Sequence, residues 1–357
     1  MQPFDNSKDI ETNLLKKERQ SRMSSFTYVR PSDLDPQRAS TSDTLFGRLE
    51  RAYPDKIGFY YLICSIVFMS LNAYFTQVAD ELPVPEITFL RSLFMMVGIY
   101  VFISRYHSEL NIGDRSYKKI VLILCLIGFP TALSYVYGVV TIQLAEAVTI
   151  MISTPIFVSI FSWFIFAQHF KKEQIISIVL WLVGITLVIR PSFSSSVTPT
   201  EIPDPTNTEV QVVSEDTTRF RGVVACLINA LLTATSSIVV KATNVRIPPI
   251  MLMTYGTLIN LILSGILCLI NGFKVPEFNT WVNLIVIGFL FFYGQFFLMK
   301  SLEQTSSGVN AALINNVQIV LIYVIQIIFV QEFPAFWSFV GTLCVVGACV
   351  VLASMNR

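Results

Sequence analysis

Residues 83–104 read PVPEITFLRSLFMMVGIYVFIS. After Glu86 the stretch is almost wholly apolar, apart from one arginine, Arg91. Its length matches the roughly 20 apolar residues that an α-helix needs to cross a hydrocarbon core of about 30 Å. The pattern recurs along the chain. Ten segments meet it, at about 57–76, 86–104, 118–138, 145–167, 173–190, 221–241, 249–271, 280–300, 306–330 and 334–354. The expected fold class is therefore an all-α membrane protein with ten transmembrane helices.

The totals agree with that expectation and exclude several functions. Of 357 residues, 53% are hydrophobic and 14% charged, with a mean hydropathy of +0.62. A soluble domain carries about 25% charged residues. The net charge of +1, with no basic stripe, excludes nucleic acid as the expected partner. The six cysteines lie in apolar stretches without metal-ligand spacing, so they read as packing residues. No metal and no cofactor is implied. There is no HExxH, GxSxG or phosphate-cradling loop, and His107 and His169 fall in connections. Neither an enzyme nor an ATP-driven pump is expected.

Residues 1–56 are polar, charged and serine-rich, and read as a disordered cytoplasmic tail without the apolar core of a signal peptide. With that tail inside, cytoplasmic segments hold 20 of the 25 Lys and Arg, the opposite side holds 4, and Arg91 is left over. The bias puts both termini in the cytoplasm. It leaves the plasma membrane and the endomembranes (ER or Golgi) equally open. The Pro/Ser/Thr-rich segment 191–220 then reads as a lumenal or extracellular linker.

The segments on either side of the linker repeat one another at an offset of 163–164. Gly58 matches Gly222 and Pro85 matches Pro249. IFAQHF (165–170) matches IFVQEF (328–333), and LWLVGITLV (180–188) matches LCVVGACVV (343–351). Each half, 57–190 and 221–354, holds five helices. An odd number inserts the second half upside down, which gives two inverted five-helix repeats with a site expected near the midplane between them.

Ionisable groups inside a membrane are costly and usually face the bundle interior or water. Arg91 reads either as an anion-binding cation or as a structural arginine paired with a carbonyl, Glu86 or Glu146. Lys300 shares a face with Tyr293, and Lys241 sits similarly on the sixth helix. Three cations against one clear intramembrane acid, Glu146, favour an anionic substrate. Polar residues also align at helical spacing: Ser134, Tyr137, Gly138 and Thr141; Glu146, Thr149 and Ser153; Asn229, Thr233 and Ser236; Asn315, Asn316, Tyr323 and Gln326. Asn72 lies seven residues after Ser65 on the first helix. These stripes read as interhelical hydrogen bonds or as a cavity lining. Arg91, Lys300, Tyr137, Asn315, Asn316, Asn72, Ser236 and Tyr293 are the expected substrate contacts. Glu146 and Pro155, which breaks the fourth helix, are the expected gating or proton-linked positions. Helices 5 and 10 carry small residues with little polarity and read as packing or homodimer helices.

Several passages carry a family resemblance: EITFLR (86–91), LAEAVTIMISTPIFVSIFSWFIF (144–166), GITLVIRP (184–191), VVKAT (239–243) and GQFFLMKSLEQTSSG (294–308). The chain resembles the drug/metabolite transporter superfamily of EamA type, and within it the G group of the solute-carrier-35 proteins, over about 57–355. The family shows Leu-Ala-Asp-Ala-Thr where this chain has Leu144, Ala145, Glu146, Ala147 and Val148, a change that keeps the acid. The resemblance implies ten helices in two halves and secondary transport of a small organic solute through a central cavity in a lipid bilayer. An arginine at the position of Arg91 recurs in such families. A citrate-like carboxylate is the expected cargo. Nucleotide-sugars and amino acids are alternatives, as is a non-transporting membrane protein that regulates a partner.

Overall fold

The structure, a computed structural model, describes residues 57–79, 81–106, 115–166, 172–189, 208–243, 249–274, 276–304, 318–331 and 336–354. By backbone proximity the chain divides into Met1–Gly58 and Phe59–Arg357, and the helical bundle belongs to the second unit. The described residues form helices and no strand. These are α1 (Ile57–Val78), α2 (Val84–Tyr106), α3 (Arg115–Thr141), α4 (Leu144–Ile152), α5 (Thr154–Phe166), α6 (Lys172–Ile189), α7 (Thr208–Thr243), α8 (Pro249–Asn271), α9 (Phe278–Gln304), α10 (Gln318–Val330) and α11 (Phe336–Ser354).

Among the described residues, seven spans are long and apolar enough to cross a membrane, with α4 and α5 making one of them. α6, α10 and α11 are apolar but shorter in their described apolar parts. α7 begins at Thr208, inside the segment read as linker. Beyond Pro205 the sequence has no proline or glycine until Gly222, so nothing in it stops a helix there.

α4 and α5 are one span broken at Ser153. Pro155 has no N–H to donate to the carbonyl of Met151, and Thr154 Oγ1 donates to that carbonyl instead, at 2.8 Å. Ser153 Oγ donates to the Ile150 carbonyl at 2.5 Å. The freed acceptors are thus satisfied from within the turn, which a lipid environment requires. α10 ends in a single π-helical turn, Gln326–Val330, closed by Gln331 in the left-handed region at φ 57°.

The bundle has two ends. The linker end carries Val78, Val84, Thr141, Leu144, Ile189, Asn271, Phe278 and Phe336. The far end carries Tyr106, Arg115, Phe166, Lys172, Thr243, Pro249, Gln304 and Ser354. α2 packs on α8 and α6 on α11, while α2 also meets α9 and α3 meets α8. Exchanging the two halves maps each of these pairings onto itself or onto another. Side chains follow the same rule. Ser65 Oγ donates to the Gly294 carbonyl at 2.8 Å, and Asn229 Nδ2 donates to the Thr131 carbonyl at 2.9 Å. The donors are 164 residues apart and the acceptors 163 apart, which is the offset of the sequence repeat.

α6 and α11 cross where Gly184 meets Gly341. A Cβ on Gly341 would lie 2.6 Å from the Gly184 carbonyl oxygen, and one on Gly184 would lie 2.8 Å from that of Gly341. The small residues of α6 and α11, the fifth and tenth segments of the sequence reading, therefore pack against each other inside the chain. The outward faces of the pair, including Val179, Leu182 and Leu343, are exposed and apolar, as lipid contact demands.

Candidate functional site

A cavity of ≈ 530 Å³ lies between α2, α3, α7, α8 and α9. Its size falls within the roughly 300–1,000 Å³ of small-molecule sites. Arg91, eighth residue of α2, sits at its deep side; Thr233, Ser236, Ser237 and Val240 on α7, with Leu252 and Met253 on α8, carry the lining toward the far end. Met95, Leu124, Met299 and Phe291 make most of the remaining wall apolar, and Asn260 and Gln295 add two neutral amides.

Arg91 is 2% exposed, and its Nη1 has no hydrogen-bond partner. The guanidinium lies 4.4 Å from the Phe291 ring centroid and 5.5 Å from that of Tyr135. Both distances are within cation–π range. It pairs with neither acid that the sequence offers. Glu86 Oε2 instead accepts the backbone N–H of Lys274 at 3.3 Å. Glu146 Oε2 accepts from Arg219 Nη2 at 3.1 Å, and its Oε1 accepts from Ser338 Oγ at 2.9 Å. Arg91 is thus an unpaired cation facing a cavity, a costly arrangement in a membrane unless an anion visits it.

The other expected contacts are divided between this cavity and other parts of the bundle. Ser236 lines the cavity with Arg91. Asn72 is fully buried behind it: its Nδ2 donates to the Ile287 carbonyl at 2.9 Å, and its Oδ1 accepts from Tyr135 OH at 3.4 Å. Asn72 therefore steadies the ring against which Arg91 rests. Tyr137 lies on another face of α3, in a groove at the linker end with Val84, Ser134, Phe220 and Arg221. Tyr293 is 44% exposed and joins an aromatic seam with Phe68 and Phe297 between α1 and α9. Lys300 is half-buried and follows the lining residue Met299 but is not itself in the lining. Asn315 and Asn316 lie outside the described residues, as does the side chain of Lys241. The sequence pattern does not single out Phe291, Gln295 and Asn260, which line the cavity, Tyr135, which lies beside Arg91, or Arg219, which pairs with Glu146.

Glu146 is 3% exposed at the start of α4. Through Arg219 and Ser338 it ties α4 to α7 and α11, across the two halves at the linker end. Nearby, Tyr323 OH and Thr342 Oγ1 lie 2.6 Å apart, Thr342 and Thr149 hydroxyls 3.4 Å apart, and Gln326 Oε1 accepts the N–H of Ala145 at 3.0 Å. Glu146 and Thr149 of one stripe thus meet Tyr323 and Gln326 of another. Pro155 stands further along the same span, at the start of α5.

The repeat makes the two ends comparable position by position. At the far end, Ser236, Ser237 and Val240 face Leu124, Cys125 and Gly128 around the cavity. Shifted by the repeat offset, the α7 positions become Asn72, Ala73 and Thr76, and Leu124 becomes Ile287. All four are 0–1% exposed. Asn72 reaches across to α9, whereas Ser236 Oγ turns back to Leu232 of its own helix at 3.1 Å. Ser236, Ser237 and Val240 thus line a cavity where their counterparts in α1 are packed.

Comparison with known proteins accords with this architecture. The EamA-like transporter family matches residues 56–190 and again 220–354. Solute carrier family 35 member G1 of Homo sapiens is 23% identical over 294 residues, 82% of this chain and 77% of that protein. The pseudopaline exporter CntI of Pseudomonas aeruginosa is 22% identical over 297 residues, 83% of this chain and 95% of the exporter. A solved crystal structure shares the fold with a TM-score of 0.55 at 15% identity, covering 86% of this chain and 98% of its own.

Proposed function

Because the chain belongs to the EamA-like transporter family, we propose that it is a secondary carrier that moves a carboxylate-bearing organic anion across a membrane by alternating access. Ten helices form two inverted halves, 57–190 and 221–354, joined by the linker 191–220 on the non-cytoplasmic side. Both termini face the cytoplasm, so the open far end does too. The solute leaves chemically unchanged, and no catalytic step is involved.

The observation that carries this reading is the unequal fate of equivalent positions. In a carrier built from inverted repeats, rocking one half against the other exposes a fixed site to each side in turn. A cavity at the far end, set against a packed seam of the same residues at the linker end, is what one such state would present. Arg91 is the anion contact, suited to a carboxylate because its N–H groups are arranged as a fork. Glu146, Arg219 and Ser338 latch the closed end. The break at Ser153–Pro155 lets α4 move with the latch while α5 stays packed on α7.

The test is uptake into proteoliposomes of labelled di- and tricarboxylates, sugar nucleotides and amino acids, beside Arg91→Ala. Saturable uptake of one anionic class, abolished in folded Arg91→Ala, is expected. Uptake indifferent to Arg91 would make that arginine structural. Absence of any uptake from folded protein would turn the reading toward a membrane interaction protein.

A further inference from the structure

We propose that the cavity selects a singly charged organic acid with an apolar body, and that it disfavours a polyanion such as citrate. This rests on the carrier reading above and narrows its substrate class.

The sequence offers three cations to an anionic solute, but the described lining of the cavity holds one. Among the described lining residues Arg91 is the sole charged side chain. It is buried, its Nη1 is unpartnered, and two aromatic rings crowd its guanidinium. One carboxylate can dock on the N–H edge that remains.

A second carboxylate would need further donors, and the lining hydroxyls do not supply them. Thr233 Oγ1 donates to the Asn229 carbonyl at 2.8 Å, Ser236 Oγ to the Leu232 carbonyl at 3.1 Å and Ser237 Oγ to the Thr233 carbonyl at 2.9 Å. Thr257 Oγ1 donates to Met95 Sδ at 3.4 Å. Recruiting any of these hydroxyls to an anion would break the bond it makes now, which offsets most of the gain. Burying an unpaired carboxylate there is strongly unfavourable.

The rest of the lining suits an apolar body. Met95, Met253 and Met299 ring the space with Leu124, Leu252 and Phe291. Methionine is flexible and polarizable and adapts to irregular apolar shapes. Asn260, whose Oδ1 lacks a partner, and Gln295 offer neutral amides that can fix the orientation of a hydroxyl or amide on the ligand.

A matched charge series on one scaffold tests this. Benzoate, isophthalate and benzene-1,3,5-tricarboxylate, with citrate alongside, are titrated against the full-length protein in lipid nanodiscs, and binding is read as a saturable rise in melting temperature. Benzoate is expected to bind about tenfold or more tightly than isophthalate, with no shift from either tricarboxylate and no binding in Arg91→Ala. Ser236→Lys adds a second cation to the lining and is expected to reverse the order of benzoate and isophthalate. It also carries the test if Arg91→Ala does not fold, since an unchanged order would overturn the proposal. Tightest binding of a tricarboxylate, lost in Arg91→Ala, would overturn the single-charge inference and leave the carrier reading standing. Binding that ignores Arg91, or no binding by any probe, would overturn both the inference and the placement of the site.

Discussion

Asn72→Ala tests whether the packed seam at the linker end is a closed gate. Asn72 joins the two halves through its 2.9 Å bond to the Ile287 carbonyl and also accepts from Tyr135 OH at 3.4 Å. A buried hydrogen bond contributes about 0.5–1.5 kcal/mol net, and an orphaned polar partner adds to the loss. The Tyr135 contact is long and adds little, so about 1–2 kcal/mol is removed from the state seen here. If the bond exists only when the linker end is shut, the balance between states moves by about 5–30-fold, at tenfold per 1.4 kcal/mol. Two reporters read that balance whatever its starting point. Ser237→Cys sits in the open cavity, and Ala73→Cys sits at its packed counterpart, 1% exposed. With Asn72→Ala, the ratio of their labelling rates by a water-soluble maleimide is expected to fall by that factor, Ala73→Cys becoming faster relative to Ser237→Cys. An unchanged ratio, or one that rises, would refute the gate reasoning and make Asn72 a static packing residue.

Further outcomes can be checked on the same preparation. Glu146→Ala is expected to lower stability by about 2–4 kcal/mol, somewhat below a fully buried pair because the Arg219 side chain is 28% exposed, and Glu146→Gln with Arg219→Gln should recover part of that in thermal unfolding. Gly341→Leu is expected to lower the melting temperature sharply, since even its Cβ would meet the Gly184 carbonyl at 2.6 Å and the backbone nitrogen of Val188 at 3.0 Å. Gly128→Ala, with nothing within 4 Å, should be neutral or slightly stabilising in the same assay. Tyr135→Phe keeps the ring beside Arg91 and loses only a long hydrogen bond, so anion uptake should fall by less than about threefold, whereas Tyr135→Ala should cost more.

Much of this arrangement is legible in the sequence because membranes impose few rules and impose them strictly. Apolar length gives the helices. Pro155 beside Ser153 and Thr154 announces a break together with the hydroxyls that repair it, and both donate as that pattern suggests. The repeat offset reappears in the bonds from Ser65 and Asn229. What the pattern withholds is which face of an apolar helix meets which neighbour. α3 is apolar almost all round, so periodicity draws attention to Tyr137, while Tyr135, two residues and half a turn away, holds Arg91. Lys300 and Tyr293 do share a face, but near Tyr293 that face packs against the ring of Phe68 on α1. Arg219 lies in a polar stretch with the composition of a linker. Only the tertiary fold brings it to Glu146.

Divergence between the repeats also bears on which state the chain prefers. Perfectly equivalent halves would give two equivalent closures, one at each end. Here the linker end is sealed by an asparagine amide that spans to α9, while the corresponding position on α7 is Ser236, whose shorter side chain bonds its own helix. Thr76, buried, corresponds to Val240, which is exposed and lines the cavity. The latch among Glu146, Arg219 and Ser338 likewise belongs to the linker end, because it depends on an acid at the start of α4. The Asn72 bond and the Glu146 cluster both add polar bonding at the linker end, whereas the Thr76 hydroxyl bonds only the Asn72 carbonyl of its own helix. In the carrier cycle proposed above, opening at the linker end breaks the Asn72–Ile287 and Glu146–Arg219 bonds, and binding in the cavity has to offset their loss.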